Sequence, residues 1–177
     1  MNSLKLPSNP KFSSGPCSKI PNWDASFLNN AVLGRSHRSP ICVNRIQELI
    51  NETKSILKIP KDYEVAIVGG SDTGAFEMAM WSLLGKKGID ILAWDAFGRD
   101  WVTDVVDQLK IKNTNLIDAD YGFLPDLSKV DFNNDVIFTW NGTTAGVKVP
   151  NGDWIKDDGK GLTLCDATSA VLAMDIA

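Results

Sequence analysis

Short apolar runs alternate with amphipathic helical segments along most of this chain, and this alternation constrains the fold more than any other feature. The runs that predict strands are 65–68, 89–94, 114–119, 135–140 and 162–167. Helical segments of about 10–15 residues separate several of them, which predicts βαβ units and a parallel sheet. Polar loops follow the later strands, and ligands of such sheets bind beyond the carboxyl ends of the strands.

The apolar spacing also predicts where the helices lie. Residues 43–58 carry apolar side chains mostly three, four or seven apart, and Pro60 ends that helix. A second helix follows the glycine turn after residue 68, with Gly85 as its C-cap, and a third covers 97–110 with Trp101 on its apolar stripe. Residues 1–30 are rich in Pro, Ser and Asn and predict an extended arm.

Composition excludes several functional classes. With 177 residues, 44% of them hydrophobic, the chain has enough apolar content for a folded core. A net charge of −4 argues against nucleic-acid or anionic-membrane binding. Three cysteines without a C-x-x-C pair suggest neither a disulfide framework nor a zinc site, and no metal site is predicted. No signal peptide or membrane span is predicted, and a reducing cytoplasm fits best.

The stretch "GGSDTGAF" between the first strand and its helix is a candidate phosphate loop. Free N–H groups at a helix N-terminus attract phosphate. The stretch is not a Walker A loop, because Ala75 stands where that motif needs lysine, and the carboxylate of Asp72 would oppose a phosphate if it pointed inward. A plain strand-to-helix turn is an equal alternative.

Three further loops carry polar or aromatic groups at the same predicted sheet edge. Phe97 begins a helix after the second strand, whereas Trp101 is expected to be core. The remaining candidates follow the last two strands: Asn141, Thr143, Thr144, Asp166, Thr168 and Ser169. Asp166 has two open interpretations, a helix cap or the partner of a cofactor ring nitrogen.

The only histidine, His37, lies in "LGRSHRSP" beside Arg38. A lone histidine is more often structural than functional. Two guanidiniums, two hydroxyls and an imidazole within six residues nevertheless form a concentrated donor set, so the candidate ligand is an anion.

An ordered set of motifs carries a resemblance to a known family. The motifs are, in chain order, "FSSGPCSKIP", "GRSHRS", "GGSDTGAFEMAMW", "AFGRDWVTDVV", "NGTTAGVKVP" and "CDATSAVLAMDI". Together they resemble the motifs of the phosphoserine aminotransferase family, whose members are class V, fold-type I pyridoxal-phosphate enzymes. The resemblance implies the three-layer, mainly parallel α/β sheet of the fold-type I large domain, incomplete at its C-terminus. Residues 1–30 would be the N-terminal arm and 31–177 the first part of the large domain.

The resemblance also implies roles for individual residues. The backbone at Asp72 and Thr73 matches the loop that holds the cofactor phosphate, with the Asp72 side chain turned away. Phe97 matches the aromatic that stacks on the pyridine ring, often Trp in the family, and Thr143 matches the contact to the ring hydroxyl. Asp166 matches the partner of the ring nitrogen. His37 and Arg38 match the pair that binds the substrate's anionic end.

The implied activity is amino transfer between glutamate and 3-phosphohydroxypyruvate, giving O-phosphoserine and 2-oxoglutarate for serine biosynthesis, with pyridoxal 5'-phosphate as cofactor. The implied assembly is a homodimer. The family's Schiff-base lysine has no counterpart after Asp166, so the sequence is expected to be an N-terminal fragment that is inactive alone. Two alternatives stay open: another class V enzyme of alanine–glyoxylate type, and a noncatalytic α/β module that binds a phosphorylated ligand.

Overall fold

The computed structural model describes residues 21–174 and residue 176. The chain divides into two compact units, residues 1–66 and residues 67–177. The prediction of an N-terminal arm over residues 1–30 stays a prediction.

The described part of the first unit, residues 21–66, contains one long helix. Helix α1 spans Pro40–Ile56, with Ser39 as its N-cap residue. The helix begins three residues earlier than the predicted range 43–58. Proline is accommodated in the first turn of a helix, because the backbone N–H that it lacks would have no intrahelical hydrogen-bond acceptor there. Within the predicted arm, Ala25–Leu28 form a 3₁₀ turn capped by Asp24, while residues 1–20 lie outside the described residues.

The second unit carries the parallel sheet. Its helices are α2, Asp72–Leu83, and α3, Ala96–Thr103, which continues as a π-helical turn over Asp104–Gln108. Its strands are β1, Ile89–Ala93; β2, Thr114–Asp118; β3, Asp135–Thr139; β4, Asn141–Gly142; β5, Val147–Lys148; and β6, Thr163–Asp166. A short 3₁₀ turn, Leu127–Lys129, precedes β3.

Four strands form one sheet in the order β2-β1-β3-β6, and each neighbouring pair is parallel. Strands β4 and β5 form a separate two-stranded antiparallel hairpin directly after β3. Since the four strands run in the same direction, the loops that follow β1, β3 and β6 emerge at the same edge of the sheet. The predicted parallel α/β architecture is confirmed.

The two faces of the sheet are covered differently. Ile89, Ile91, Ile137 and Leu164 face the helices, where Met80 of α2 and Trp101 and Val105 of α3 pack on them. The alternate residues pack on the opposite face against irregular segments; they include Leu92, Trp94, Val136, Phe138 and Trp140. Strands apolar on both faces are typical of a covered parallel sheet.

The prediction of a strand at residues 65–68 is wrong. These residues form no ladder with any described strand, and Ile67 and Val68 are exposed. A β-branched run favours extended backbone, but a strand also needs a neighbouring strand as hydrogen-bond partner. The other four predicted strands are present, at 89–93, 114–118, 135–139 and 163–166.

Candidate functional site

A cleft lies at the carboxyl edge of the sheet. The residues that line it come from the N-terminus of α2, from α3 and from the ends of β3 and β6. They are Asp72, Thr73, Phe97, Trp101, Thr139, Asn141, Thr143, Asp166, Thr168 and Ser169.

The N-terminus of α2 presents unused N–H groups to this cleft. Ser71 caps the helix by accepting a hydrogen bond from the Gly74 N–H at 3.0 Å. The first intrahelical bond runs from the Ala75 N–H to the Ser71 carbonyl at 3.0 Å, so the N–H groups of Asp72 and Thr73 precede the helical ladder. Free N–H groups and the positive end of a helix dipole attract anions, and the predicted role of these two groups in holding a phosphate stays a prediction.

Asp166, at the end of β6, is held by two donors. The Trp101 indole Nε1 donates to Oδ2 at 3.2 Å, and the Thr168 N–H donates to Oδ1 at 3.0 Å. The second bond is a local turn contact. No helix follows β6 within the described residues, so the helix-cap interpretation of Asp166 is not supported, and its role as partner of a ring nitrogen stays a prediction. The two bonds fix the orientation of the carboxylate within the cleft.

Hydroxyl groups join the loops after β3 and β6. The Thr143 hydroxyl donates to the Ser169 Oγ at 2.9 Å and accepts from the Asn141 Nδ2 at 3.3 Å. These contacts hold three lining residues of the cleft in one polar network. The network places a hydroxyl oxygen of the β3 loop beside the loop that carries Asp166.

The buried Asp95 anchors the loop after β1. Its side chain is fully buried, caps α3 by accepting from the Gly98 N–H at 2.9 Å, and accepts from the Thr144 N–H at 3.3 Å. The loop after β1 and the loop after β3 are thereby held together. Phe97 follows at the start of α3 and remains 45% exposed, so its ring has a free surface for stacking.

A second cleft on the α3 side is lined by acidic residues. Glu77, Asp100 and Asp104 line it, together with Thr73 and Phe97 from the first cleft. Burial raises the pKa of Asp104, and the neighbouring charges of Glu77 and Asp100 raise it further. This concentration of negative charge makes the second cleft unfavourable for an anion.

The two described cysteines do not supply a nucleophile to the first cleft. Neither Cys42 nor Cys165 lines it. Burial, followed by the charge of Asp166, raises the pKa of the Cys165 thiol to about 12. The thiol therefore stays protonated at neutral pH, and only the thiolate is reactive.

The structure brings together all the residues that the sequence predicts to bind a cofactor. Asp72, Thr73, Phe97, Thr143 and Asp166 all line the cleft, and their individual roles stay predictions. His37 and Arg38 lie in the first unit as exposed residues that precede α1, so their role in binding a substrate anion also stays a prediction.

Sequence reasoning missed two residues of the cleft. Trp101 is buried, as predicted for a core residue, but its indole also donates to Asp166. Thr139 was not singled out, although a hydroxyl in the otherwise apolar run 136–140 was a usable signal.

Comparisons with known proteins identify relatives that share this fold. A phosphoserine aminotransferase from Methanosarcina mazei is 57% identical over 176 residues, which cover 99% of this chain and 48% of that protein. The crystal structure of a phosphoserine aminotransferase from Cytophaga hutchinsonii superposes with a TM-score of 0.73 at 21% identity, covering 85% of this chain and 42% of that one.

A phosphoserine aminotransferase from Trichomonas vaginalis, solved with bound pyridoxal phosphate, superposes with a TM-score of 0.53 at 13% identity. It covers 73% of this chain and 38% of that one, and at this identity the likeness concerns the fold alone. No family model matches the chain. The chain spans about half the length of the curated relatives that it matches.

Proposed function

We propose that this chain supplies the cofactor-binding part of a pyridoxal-phosphate-dependent phosphoserine aminotransferase. The chain is similar along 99% of its length to a phosphoserine aminotransferase. The observation that carries the proposal is the convergence of an anion-binding helix end, an exposed aromatic ring, a hydroxyl network and an oriented carboxylate on one cleft. These are the four kinds of group that a phosphorylated pyridine ring requires.

The residues present fit pyridoxal phosphate. The free N–H groups of Asp72 and Thr73 would hold its phosphate, Phe97 would stack on its ring, and Thr143 would contact the ring hydroxyl. The carboxylate of Asp166 would hold a proton on the ring nitrogen. When bound, the cofactor supplies an electron sink that eases loss of the proton from the Cα of an amino acid.

The proposed substrates are glutamate and 3-phosphohydroxypyruvate, which exchange an amino group to give 2-oxoglutarate and O-phosphoserine in serine biosynthesis. Each substrate carries a second anionic group, a side-chain carboxylate or a phosphate. His37 and Arg38 supply donors of the kind that bind such a group, with a guanidinium that forms charge-assisted hydrogen bonds. This pair favours a phosphoserine aminotransferase over an enzyme whose substrate lacks a second anion.

We further propose a cytoplasmic homodimer. Helix α1 supports the dimer, because Ile41, Val43, Ile46 and Leu49 are exposed on it, and exposed apolar side chains of this kind are commonly buried by assembly. Within residues 21–174 and 176, no helix has the length and apolar character needed to cross a membrane.

The proposed activity is tested with the product of the complete gene, loaded with pyridoxal phosphate. Glutamate is the amino donor, and 3-phosphohydroxypyruvate and glyoxylate are compared as acceptors. We expect kcat/KM to favour the phosphorylated acceptor by at least about 100-fold, because its phosphate can make charge-assisted hydrogen bonds to the anion site that glyoxylate cannot make. A preference for glyoxylate would identify the protein as an aminotransferase of the alanine–glyoxylate type. Binding of a phosphorylated ligand without amino transfer would identify a noncatalytic module.

Replacing Arg38 with Ala tests the anion site. We expect the KM for 3-phosphohydroxypyruvate to rise about 10- to 100-fold, since a charge-assisted hydrogen bond is worth roughly 1.5–3 kcal/mol. The affinity for pyridoxal phosphate should change little. Arg45→Ala is the matched control, because Arg45 pairs with Glu48 at 3.0 Å on the exposed surface of α1. An unchanged KM in the Arg38→Ala variant would show that Arg38 does not bind the substrate.

A further inference from the structure

The hairpin of β4 and β5 supplies two residues that line the candidate cofactor cleft. Asn141 begins the hairpin, Thr143 lies in its turn, and both line the cleft. The position of the Thr143 hydroxyl therefore depends on the position of the hairpin. Only two ladder pairs form the hairpin, Asn141 with Lys148 and Gly142 with Val147. So short a hairpin is not stable by itself, so contacts with the rest of the protein must hold it in place.

The two residues that follow β1 provide such contacts. Trp94 is fully buried, and its indole Nε1 donates to the Val147 carbonyl oxygen on β5 at 3.0 Å. Asp95, the next residue, accepts from the N–H of Thr144 in the turn at 3.3 Å. The end of β1 thus holds both the second strand of the hairpin and its turn.

Gly142 brings the first strand of the hairpin against the same indole. A Cβ atom on residue 142 would lie 2.5 Å from the Trp94 Nε1 and 2.7 Å from its Cδ1. Non-bonded carbon atoms are ordinarily about 3.5–4.0 Å apart, so a side chain at residue 142 would force the strand and the indole apart. The φ of Gly142 is not positive, so this close approach, and not the backbone conformation, is what requires glycine here.

We propose that Trp94 and Gly142 are positioning residues, which hold the hairpin so that the Thr143 hydroxyl lies where the cofactor ring can contact it. This inference rests on the proposed function, in which Thr143 contacts the ring hydroxyl. Neither Trp94 nor Gly142 lines the cleft, so both act through the hairpin. A displaced hairpin would also disturb the bond from Thr143 to the Ser169 Oγ, which is 2.9 Å long.

Gly142→Ala tests this role by displacing the hairpin. The test uses the complete gene product in its cofactor-free form and titrates it with pyridoxal phosphate by isothermal titration calorimetry. We expect the Kd to rise about tenfold, because the hydrogen bond to the ring is lost when Thr143 moves. Gly152→Ala is the matched control. A Cβ at residue 152 would meet no atom within 4 Å, so this variant should keep the wild-type Kd.

Trp94→Phe tests the other side of the same contact, because it keeps an aromatic ring and removes the N–H that holds Val147. We expect the Kd to rise about three- to tenfold, as for the loss of one neutral hydrogen bond. Trp154→Phe is the matched control, because the buried Nε1 of Trp154 has no acceptor among the described residues. This control should keep the wild-type Kd. If Gly142→Ala does not fold, Trp94→Phe replaces it in every comparison.

A double-mutant cycle with Thr143→Val separates positioning from a general loss of stability. Thr143→Val removes the hydroxyl and should itself raise the Kd about tenfold. Adding Gly142→Ala to it should raise the Kd no further, because the hydroxyl that the hairpin positions is already absent. A purely structural role would lower the melting temperature and leave the Kd of the folded protein unchanged.

The failure of the proposed function and the failure of this inference are distinguishable. Wild-type protein that does not bind pyridoxal phosphate would overturn both. Wild-type protein that binds, together with a Gly142→Ala variant of unchanged Kd, would overturn the inference alone. Additive effects of Gly142→Ala and Thr143→Val, roughly 100-fold in the double variant, would also contradict it, because Gly142 would then act independently of the Thr143 hydroxyl.

Discussion

Asp166→Asn is expected to reduce the kcat of amino transfer by about 10²–10³-fold, which is the usual cost of removing one preorganised electrostatic group from an active site. The amide keeps the size of the carboxylate, but its single oxygen can accept from only one of the two donors, the Trp101 indole or the Thr168 N–H. It has no negative charge with which to keep a ring nitrogen protonated. Steady-state kinetics of the complete gene product, with pyridoxal phosphate at saturation, measure the loss.

The matched control is Asp118→Asn. Asp118 also ends a parallel strand, but it lies outside the cleft and makes an exposed ion pair with Arg99 at 3.4 Å. Exposed pairs contribute roughly 0–1 kcal/mol, so this variant should keep nearly full activity. An Asp166→Asn variant as active as the Asp118 control would exclude Asp166 from the chemistry.

Asp95→Ala is expected to lower the free energy of unfolding by about 2–4 kcal/mol, as the cap of α3 and a hydrogen bond between two loops are lost together. Asp95 is fully buried and accepts from the N–H groups of Gly98 and Thr144. Its removal leaves both donors without this acceptor. Urea denaturation of the cofactor-free protein measures the change.

Asp126→Ala serves as the control for this variant. Asp126 also caps a short helix, accepting from the Ser128 N–H at 3.1 Å, but it does so at the exposed surface. Water can accept from the Ser128 N–H once the exposed carboxylate is gone, so the free energy of unfolding should fall by about 1 kcal/mol or less. Equal losses in the two variants would show that Asp95 acts only as a local cap.

Much of the sheet and the cleft could be predicted from the sequence, because the relevant signals are local. Apolar runs of strand length identified β1, β2, β3 and β6, and their alternation with helices implied parallel pairing. Parallel strands bring their carboxyl ends to one edge, so the loops that contain Phe97, Thr143 and Asp166 could be expected to meet there.

What could not be predicted depends on contacts between distant residues. Residues 65–68 have strand composition, but whether they form a strand depends on a partner, which local sequence does not specify. The bond from Trp101 to Asp166 joins residues 65 positions apart. A helical stripe predicts that an indole is buried, but not which acceptor its N–H finds.

The central claim is that the cleft holds pyridoxal phosphate with its ring nitrogen on Asp166. The most direct measurement is a crystal structure of the complete gene product with the cofactor bound. We expect the ring nitrogen to lie about 2.7–2.9 Å from an Asp166 carboxylate oxygen, as in a charge-assisted hydrogen bond. The phosphate should lie at the N-terminus of α2, against the N–H groups of Asp72 and Thr73. A cofactor bound elsewhere, or a ring nitrogen without contact to Asp166, would contradict the account.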